Sequence, residues 1–348
     1  MRRRIRSTAQ LGLAILGTNF QRRRSPYKVL LSVTDRCNLR CAACKIWQLP
    51  PGPEMSVGEW DRFFAANSRL TWISMTGGEI FLRRDLVEIV EALVRHCPGL
   101  YLLNFPTNGW FTEITRRSVE AFHRLGVRKT ICSVSVDGPE KLHDQVRGRQ
   151  GSWRRALETF RMLREQPGVE AYLGMTVSRF NQDKFQETLE AAAAVVPGIG
   201  GSDLHLNLAH RATYYNNPEM PFPDTRAVLA TVAASLDARG RPRSVVALLE
   251  RAYLRRIATY LKTGRSPVPC QALTSSAYVG ADGTVYPCAK WGRPAGRLQD
   301  FEYSFERLWQ SHRRTRLRRL VDRHQCPGCW TPCEAYQSIW ADNLRPIR

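Results

Sequence analysis

Carboxylates are in short supply in this chain of 348 residues: 31 Asp and Glu face 52 Lys and Arg, giving a formal net charge of +21. Such a surface favours acidic partners, namely nucleic acid, anionic lipid or a phosphorylated substrate, unless the Arg bias serves only a solvated exterior. Lysine is scarce within that excess, with seven Lys against 45 Arg. Long apolar runs are missing too. The nearest candidate, residues 7–20, spans about fourteen residues, short of the ~20 that a bilayer crossing needs. It lies between Arg2, Arg3, Arg4 and Arg6 on one side and Arg22, Arg23 and Arg24 on the other. No small-x-small cleavage site follows it, which argues against a signal peptide. Ala9, Leu13, Leu16 and Phe20 form one helical face there, suited to a membrane interface or to packing beneath the rest of the fold. Cysteine, by contrast, is plentiful, with ten residues. Their short, clustered spacings suit metal sites in a reducing, cytoplasmic compartment rather than a secreted disulfide framework. Cys97 and Cys132 stand alone in apolar contexts and are expected in the core.

The densest cysteine group is Cys37-Asn38-Leu39-Arg40-Cys41-Ala42-Ala43-Cys44. It follows an apolar, β-branched run at residues 29–34 that reads as a buried strand. The three thiols therefore sit on a loop at a strand's C-terminal end, where α/β folds build sites. No histidine is near, and a zinc site would recruit a fourth Cys or His. Three thiolates suit a 4Fe–4S cluster with one iron open to an outside ligand.

Strand-like runs at 29–34, 71–75, 100–105, 129–136, 170–177 and 203–208 alternate with amphipathic helical patterns. The first helix opens with a capping box, Ser56-x-x-Glu59, after the breaker Pro50-Pro51-Gly52-Pro53; Thr112, Ser152 and Asn181 offer N-caps for later helices. Six β–α units imply a parallel sheet with helical crossovers, as a barrel or as a doubly wound open sheet.

Polar motifs stand at the strand ends. The second run ends in Thr76-Gly77-Gly78-Glu79, where paired glycines let backbone approach a ligand and expose amides, and Glu79 adds a carboxylate. The third ends in Thr107-Asn108-Gly109 and the fourth in Ser133-Val134-Ser135-Val136-Asp137-Gly138, followed by His143, Asp144, Arg147 and Gly148. Taken locally, Asp137-Gly138 is a turn and Arg147 pairs with Asp144. A loop at 209–224 with Tyr214, Tyr215, Asn216 and Asn217 is either a substrate-facing rim or a plain connection.

The C-x3-C-x2-C spacing, with Gly77-Gly78-Glu79 and the Ser135 to Gly148 run following in order, resembles the radical S-adenosylmethionine (SAM) enzymes. The resemblance implies an α/β fold, a partial (β/α)6 TIM-like barrel. It implies SAM chelated on the open iron of a 4Fe–4S cluster. One electron then cleaves SAM to methionine and a 5′-deoxyadenosyl radical, which takes a hydrogen from the substrate. By the same resemblance Cys37, Cys41 and Cys44 hold the cluster and Glu79 holds the SAM amino group. Gly77, Gly78 and Asn108 are expected to bind the cofactor alongside Glu79, and Ser135 and Arg147 to contact the methionine or ribose. A reductant protein such as flavodoxin or ferredoxin is implied. The family usually carries an aromatic before the third Cys; here that position is Ala43, with Trp47 as the substitute.

The tail carries Cys270, Cys288, Cys326, Cys329 and Cys333, with Asp282-Gly283 as a hairpin turn between 275–279 and 284–286 and a basic helix running through Arg323. It resembles the SPASM/twitch extensions. Five cysteines, where two clusters need seven, imply one auxiliary 4Fe–4S cluster and one spare thiol; a zinc ribbon is the alternative. The sulfatase-maturating branch has an acidic residue just after its second auxiliary Cys; Ala289 and Lys290 here imply different chemistry. The expected organisation is a basic segment at 1–26, a radical SAM core at 27–240, and a helical linker with auxiliary domain at 241–348. With 26 residues ahead of Tyr27, no leader-peptide-binding domain is expected. The substrate is left open between a small molecule, a lipid and a peptide. The short basic N-terminal helix resembles that of the hopanoid-adenosylating radical SAM enzyme, which implies peripheral contact with the anionic inner membrane face. The rival reading is a non-catalytic basic iron–sulfur or zinc protein that tracks nucleic-acid phosphates with Arg313, Arg314, Arg316, Arg318, Arg319 and Arg323. It gives no reason for Gly77-Gly78-Glu79 or Ser135, so nucleic acid is disfavoured.

Overall fold

The computed structural model describes residue 12 and residues 24–343. The amphipathic face expected at Ala9, Leu13, Leu16 and Phe20 lies outside the described residues.

The six expected strands form as β1 (Lys28–Thr34), β2 (Trp72–Gly77), β3 (Leu102–Thr107), β4 (Thr130–Ser135), β5 (Val169–Val177) and β6 (Leu204–Leu208). They pair in parallel, each beside its sequence neighbour. A doubly wound sheet reverses its strand order at a switch point. This one does not, and the α/β unit is a partial (β/α)6 barrel. Strand alternation divides its two faces. In β4, Thr130, Cys132 and Val134 are buried while Ile131, Ser133 and Ser135 are only half-buried. Cys132 and Val134 belong to the main apolar core under the helices, so the half-buried set faces the barrel interior. That interior is polar: Trp72 Nε1 and Ser74 Oγ both donate to Asn104 Oδ1, at 2.6 and 2.7 Å.

The crossover helices are α1 (Val57–Ala66), α2 (Leu86–His96), α3 (Thr112–Leu125), α4 (Glu140–Arg147), α5 (Ser152–Glu165), α6 (Phe185–Val195) and α7 (Thr225–Ala238). The capping box on α1 forms as expected, and Trp60, Phe63 and Phe64, spaced i, i+3, i+4, are buried. Each such side chain contributes about 1.5–3 kcal/mol on full burial. The other three expected N-caps do not form. Thr112 and Ser152 are the first helical residues, and Asn181 precedes α6 by a turn. Asp144 replaces Ser152 as the cap of α5, accepting from Gly151 N, Ser152 Oγ and Trp153 N. Asn181 instead ties strand ends together, donating to Asp137 O and Thr176 O. Cys97 and Cys132 are buried, as expected of core residues.

Beyond the barrel the expected helical linker forms as α8 (Val245–Arg255) and α9 (Ile257–Thr263), separated at Arg256. The expected hairpin follows as β7 (Ser276–Val279) and β8 (Thr284–Tyr286), turning at Gly283 with φ +85°. A short β9 (Gly296–Arg297), α10 (Phe305–Gln310), α11 (His312–Asp322) and α12 (Pro332–Asn343) complete the described chain. β7 pairs in parallel with β1, Lys28 opposite Ser276. The tail hairpin therefore extends the barrel sheet into nine strands, ordered β6-β5-β4-β3-β2-β1-β7-β8-β9. α12 bridges two sides of the molecule. Lys28 on β1 donates to Gln337 Oε1 at 2.6 Å and to the Cys333 carbonyl, while Tyr336 donates to Glu250 on α8. Among the described residues no helix is long and apolar enough to cross a membrane.

Candidate active site

The cysteine loop leaves β1 at Thr34 and is gripped from three sides. β2 ends flush against its start, with Gly78 N donating to Thr34 O at 2.9 Å and Glu79 N to Arg36 O at 2.8 Å. A side chain at Gly77 or Gly78 would bring Cβ to 2.1 Å from Thr34 O or Arg36 O. The glycine pair is thus required by the cysteine loop itself. The expected exposed amides are not those of Gly78 and Glu79, which are spent on this contact. The end of α4 holds the middle: Arg40 N donates to Arg147 O and Ala42 N to Val146 O. Gly148 follows with φ +65°, its Cβ position 2.4 Å from Arg40 O. The loop after β6 closes the third side. Buried Asn217 donates to Ala43 O at 2.8 Å, and Lys45 N donates to Tyr215 O at 2.8 Å. The 209–224 segment is therefore more than a plain connection. The sequence places Asn217 on this loop but gives no sign of its clamping role, because a loop asparagine carries no spacing signal.

Burial pushes the Cys37 thiol up to about 11 and that of Cys44 up to about 12. Burial also raises Cys41, against the opposing pull of Arg147. Arg147 Nη1 lies 3.9 Å from Cys41 Sγ, and Nη2 pairs with Asp137 at 2.8 Å. The local expectation of an Arg147–Asp144 pair is not met, because Asp144 is committed to capping α5. Glu79 is buried, and burial pushes it up to about 7. Its carboxylate accepts from Thr107 Oγ1 at 3.0 Å, Asn108 N at 2.8 Å and Phe81 N at 3.4 Å. Asn108 Nδ2 donates in turn to Asn38 Oδ1 at 2.8 Å. Ser135, half-buried at the end of β4, faces the barrel interior. Trp47 sits on a short 3-10 turn after Cys44, with Arg40 over its ring at 5.8 Å.

Three buried donors on this loop and its clamp have no acceptor: Asn38 Nδ2, Trp47 Nε1 and Arg147 Nε. Buried donors are rarely left unpaired. A thiolate-ligated iron–sulfur cluster with a bound carboxylate is an anionic group of the kind these donors lack, so the residues present fit it.

The auxiliary site is built where β8, α11 and α12 meet. Cys270, Cys288, Cys326 and Cys329 line one cavity of about 200 Å³ together with Trp291 and Lys290. Cys329 donates to Cys288, which holds the Cys288 thiol below its ordinary value. Lys290 Nζ donates to Gly328 O at 2.5 Å. Arg318 Nη1 holds the Cys270 and Ala272 carbonyls at 2.8 and 2.6 Å. Cys333 is exposed at the start of α12 and is not among the cavity's lining residues. Four thiols around this cavity suit a cubane.

The radical SAM superfamily model matches residues 31–192, and the SPASM iron–sulfur cluster-binding domain model matches residues 270–333. The chain belongs to the radical SAM superfamily. This radical SAM enzyme takes SAM, a SAM-binding 4Fe–4S cluster and an auxiliary 4Fe–4S cluster as its cofactors. Among curated proteins it is similar to the sporulation killing factor maturation protein SkfB of Bacillus subtilis, 29% identical over 48% of this chain and 40% of that one. It is also similar to the GTP 3′,8-cyclase of Aquifex aeolicus, 33% identical over 33% of this chain and 38% of that one. The chain thus spans about 40% of the length of the curated relatives it matches first. Two solved structures share the fold. One is anSMEcpe with bound AdoMet and the Cp18Cys peptide, with TM-score 0.60, 17% identity, and coverage of 85% of this chain and 83% of that one. The other is SuiB of Streptococcus suis bound to its precursor peptide SuiA, with TM-score 0.59, 12% identity, and coverage of 93% and 76%.

Proposed function

We propose that this radical SAM enzyme modifies a peptide, abstracting hydrogen from a residue presented in the polar interior of the barrel. The observation that carries this reading is the fold shared with two proteins solved with peptides bound, over 85% and 93% of this chain. The maturation protein SkfB supports it from the sequence side. Held by Cys37, Cys41 and Cys44, the SAM-binding cluster would supply the one electron that cleaves SAM to methionine and a 5′-deoxyadenosyl radical.

The chain's own residues take these roles. Cys37, Cys41 and Cys44 ligate the first cluster. Glu79 is the carboxylate for the SAM ammonium, oriented by Thr107 Oγ1, Asn108 N and Phe81 N, which donate to it. Gly77 and Gly78 hold β2 against the loop, and Asn108 fixes Asn38 beside Cys37. Arg147 and Ser135 offer donors to the SAM carboxylate or ribose. Cys270, Cys288, Cys326 and Cys329 ligate the auxiliary cluster, and Cys333 is the spare thiol.

The test begins with anaerobic reconstitution, reduction and SAM. 5′-Deoxyadenosine is expected, and its formation should vanish when Cys37, Cys41 and Cys44 are all replaced by Ala. A triple variant that still forms it would sink the site assignment. For the substrate, short peptides encoded beside the gene are supplied in synthetic form and examined by mass spectrometry. No mass change in any of them would return the substrate to lipids and small molecules.

A further inference from the structure

In a chain with a large excess of cations, one carboxylate beside the cysteine loop has none. Asp35 is half-buried just past the end of β1, two residues before Cys37. Ser32 Oγ donates to its Oδ1 at 2.9 Å. Among the described residues Asp35 takes part in no ion pair. Its neighbour Glu54 is paired twice, with Arg36 at 3.2 Å and Arg83 at 3.7 Å. The charges that act on Asp35 are those of two carboxylates, Glu54 and Asp282. A carboxylate taken partly out of water ordinarily has a cation against it.

Tyrosine rings wall this spot. Tyr278 on β7 stands opposite Leu30 on β1, so it shares the interior-facing side of the sheet with Leu30 and Ser32. Tyr286 pairs with Tyr278 across the hairpin, their rings 5.8 Å apart. Tyr214, from the loop after β6, meets Tyr278 edge-on at 5.3 Å and Tyr215 at 5.2 Å. Asp35 acts electrostatically on Tyr214, Tyr278 and Tyr286 alike, which puts its charge among the three. The Tyr214 hydroxyl is buried and, among the described residues, has no hydrogen-bond partner. Three elements distant in sequence thus bring aromatic walls and an unused hydroxyl to one unpaired carboxylate.

The chemistry of these groups narrows the occupant. Three carboxylates repel an anion. A divalent cation needs several free oxygens, whereas Glu54 is shared between two arginines and Asp282 accepts from Thr284 N and Oγ1. A guanidinium grips both oxygens of a carboxylate, and Ser32 already holds one of them. An ammonium is a point charge that needs only the other, and aromatic rings stabilise it and the methylenes behind it.

We propose that this recess receives an alkylammonium group of the substrate, with Asp35 as its counter-ion and Tyr214, Tyr278 and Tyr286 as its walls. On the peptide reading above, on which the identity of the carrier rests, that group is a lysine side chain. β1 lies between β2 and β7, so Asp35 and Glu79 serve the cysteine loop from its two sides, one for substrate and one for SAM. Asp35 is a positioning residue that fixes which residue of the substrate is presented.

The experiment uses the full chain, reconstituted anaerobically, with SAM present. The probes are three capped pentapeptides, acetyl-Gly-Gly-X-Gly-Gly-amide with lysine, acetyl-lysine or norleucine at X, together with n-pentylammonium as the bare amine. Ligand-observed NMR measures their dissociation constants. The lysine peptide is expected to bind about tenfold more tightly than the other two peptides. Asp35→Asn should abolish most of that preference, and Tyr214→Leu should reduce it, with iron content showing that each variant is folded and loaded. The preference in the wild-type protein is itself a test that needs no variant. Equal binding of the lysine and norleucine peptides overturns the proposal, as does a lysine preference that Asp35→Asn leaves unchanged. Failure to bind any of the four probes overturns it too. Binding of n-pentylammonium that depends on Asp35, without binding of the lysine peptide, upholds the recess and shows that the peptide reading has failed.

Discussion

Arg147 reaches Cys41 with one nitrogen, at 3.9 Å, while a second nitrogen is anchored at 2.8 Å to Asp137. The cation beside the first cluster thiol is thus held by a carboxylate at the end of β4, on a different element from either residue. Both members of the pair are largely buried. Removing one leaves an uncompensated buried charge, which costs about 3–5 kcal/mol. Arg147→Met is therefore expected to lower the unfolding midpoint sharply. The double variant Arg147→Met with Asp137→Leu should recover much of that loss. Chemical denaturation of the four proteins of this cycle measures the coupling, and additive losses would show that the pair is not a unit.

Glu79 gives a pH signature. Burial lifts it from its ordinary 4.5 to about 7, so the folded chain binds its proton more tightly than the unfolded chain does. Folding stability from this group therefore falls as pH rises from about 4.5 to about 7. Glu79→Gln should flatten that part of the stability profile, measured by denaturation without SAM. An unchanged slope would mean that the carboxylate is ionised throughout.

Cysteine replacement separates ligands from the spare thiol. With two 4Fe–4S clusters the protein should hold about eight irons. Replacing Cys270 or Cys288 by Ala should lower the count toward about four and leave 5′-deoxyadenosine formation intact. Cys333→Ala should keep about eight. Loss of iron on replacing Cys333, with retention on replacing one of the four cavity cysteines, would redraw the ligand set.

Lys290 stands beside three auxiliary thiols and ties down the loop between Cys326 and Cys329 through Gly328. A cation there favours the more negative, reduced cluster. Lys290→Met should lower the auxiliary potential, and Lys290→Glu should lower it further. EPR-monitored redox titration reads both, and an unmoved potential would leave Lys290 as a loop latch only.

Much of this was legible in the residues, for identifiable reasons. The six core strands were found to within two residues because β-branched apolar runs bounded by polar turns have few other uses. Ser56 and Glu59 were found because a capping box is local. Thr112, Ser152 and Asn181 misled because capping depends on tertiary partners: Asp144 takes the start of α5, Thr112 pairs with Thr159, and Asn181 is spent on strand-end carbonyls. The clamp by Asn217 was invisible because it joins elements distant in sequence, and Asp137 was missed as the partner of Arg147 because Asp144 lies nearer in sequence but is spent on capping α5. The proposed division of the tail cysteines into four and one rests on three-dimensional placement, since Cys333 alone of the five does not line the cavity.

The parallel pairing of β1 with β7 has a consequence for how the chain comes to be folded in the cell. Lys28 leaves the ribosome early, yet its neighbour Ser276 is made only when most of the polypeptide already exists. Until then the outer edge of Val29, Leu30 and Leu31 has no strand beside it, the kind of exposed apolar edge that recruits other chains. A nascent chain stopped before residue 276 should therefore clump or engage chaperones even though all six barrel strands are present. The segment that supplies the auxiliary thiols is also the segment that seals the edge, so metal assembly at the tail and completion of the barrel belong to one late event in synthesis.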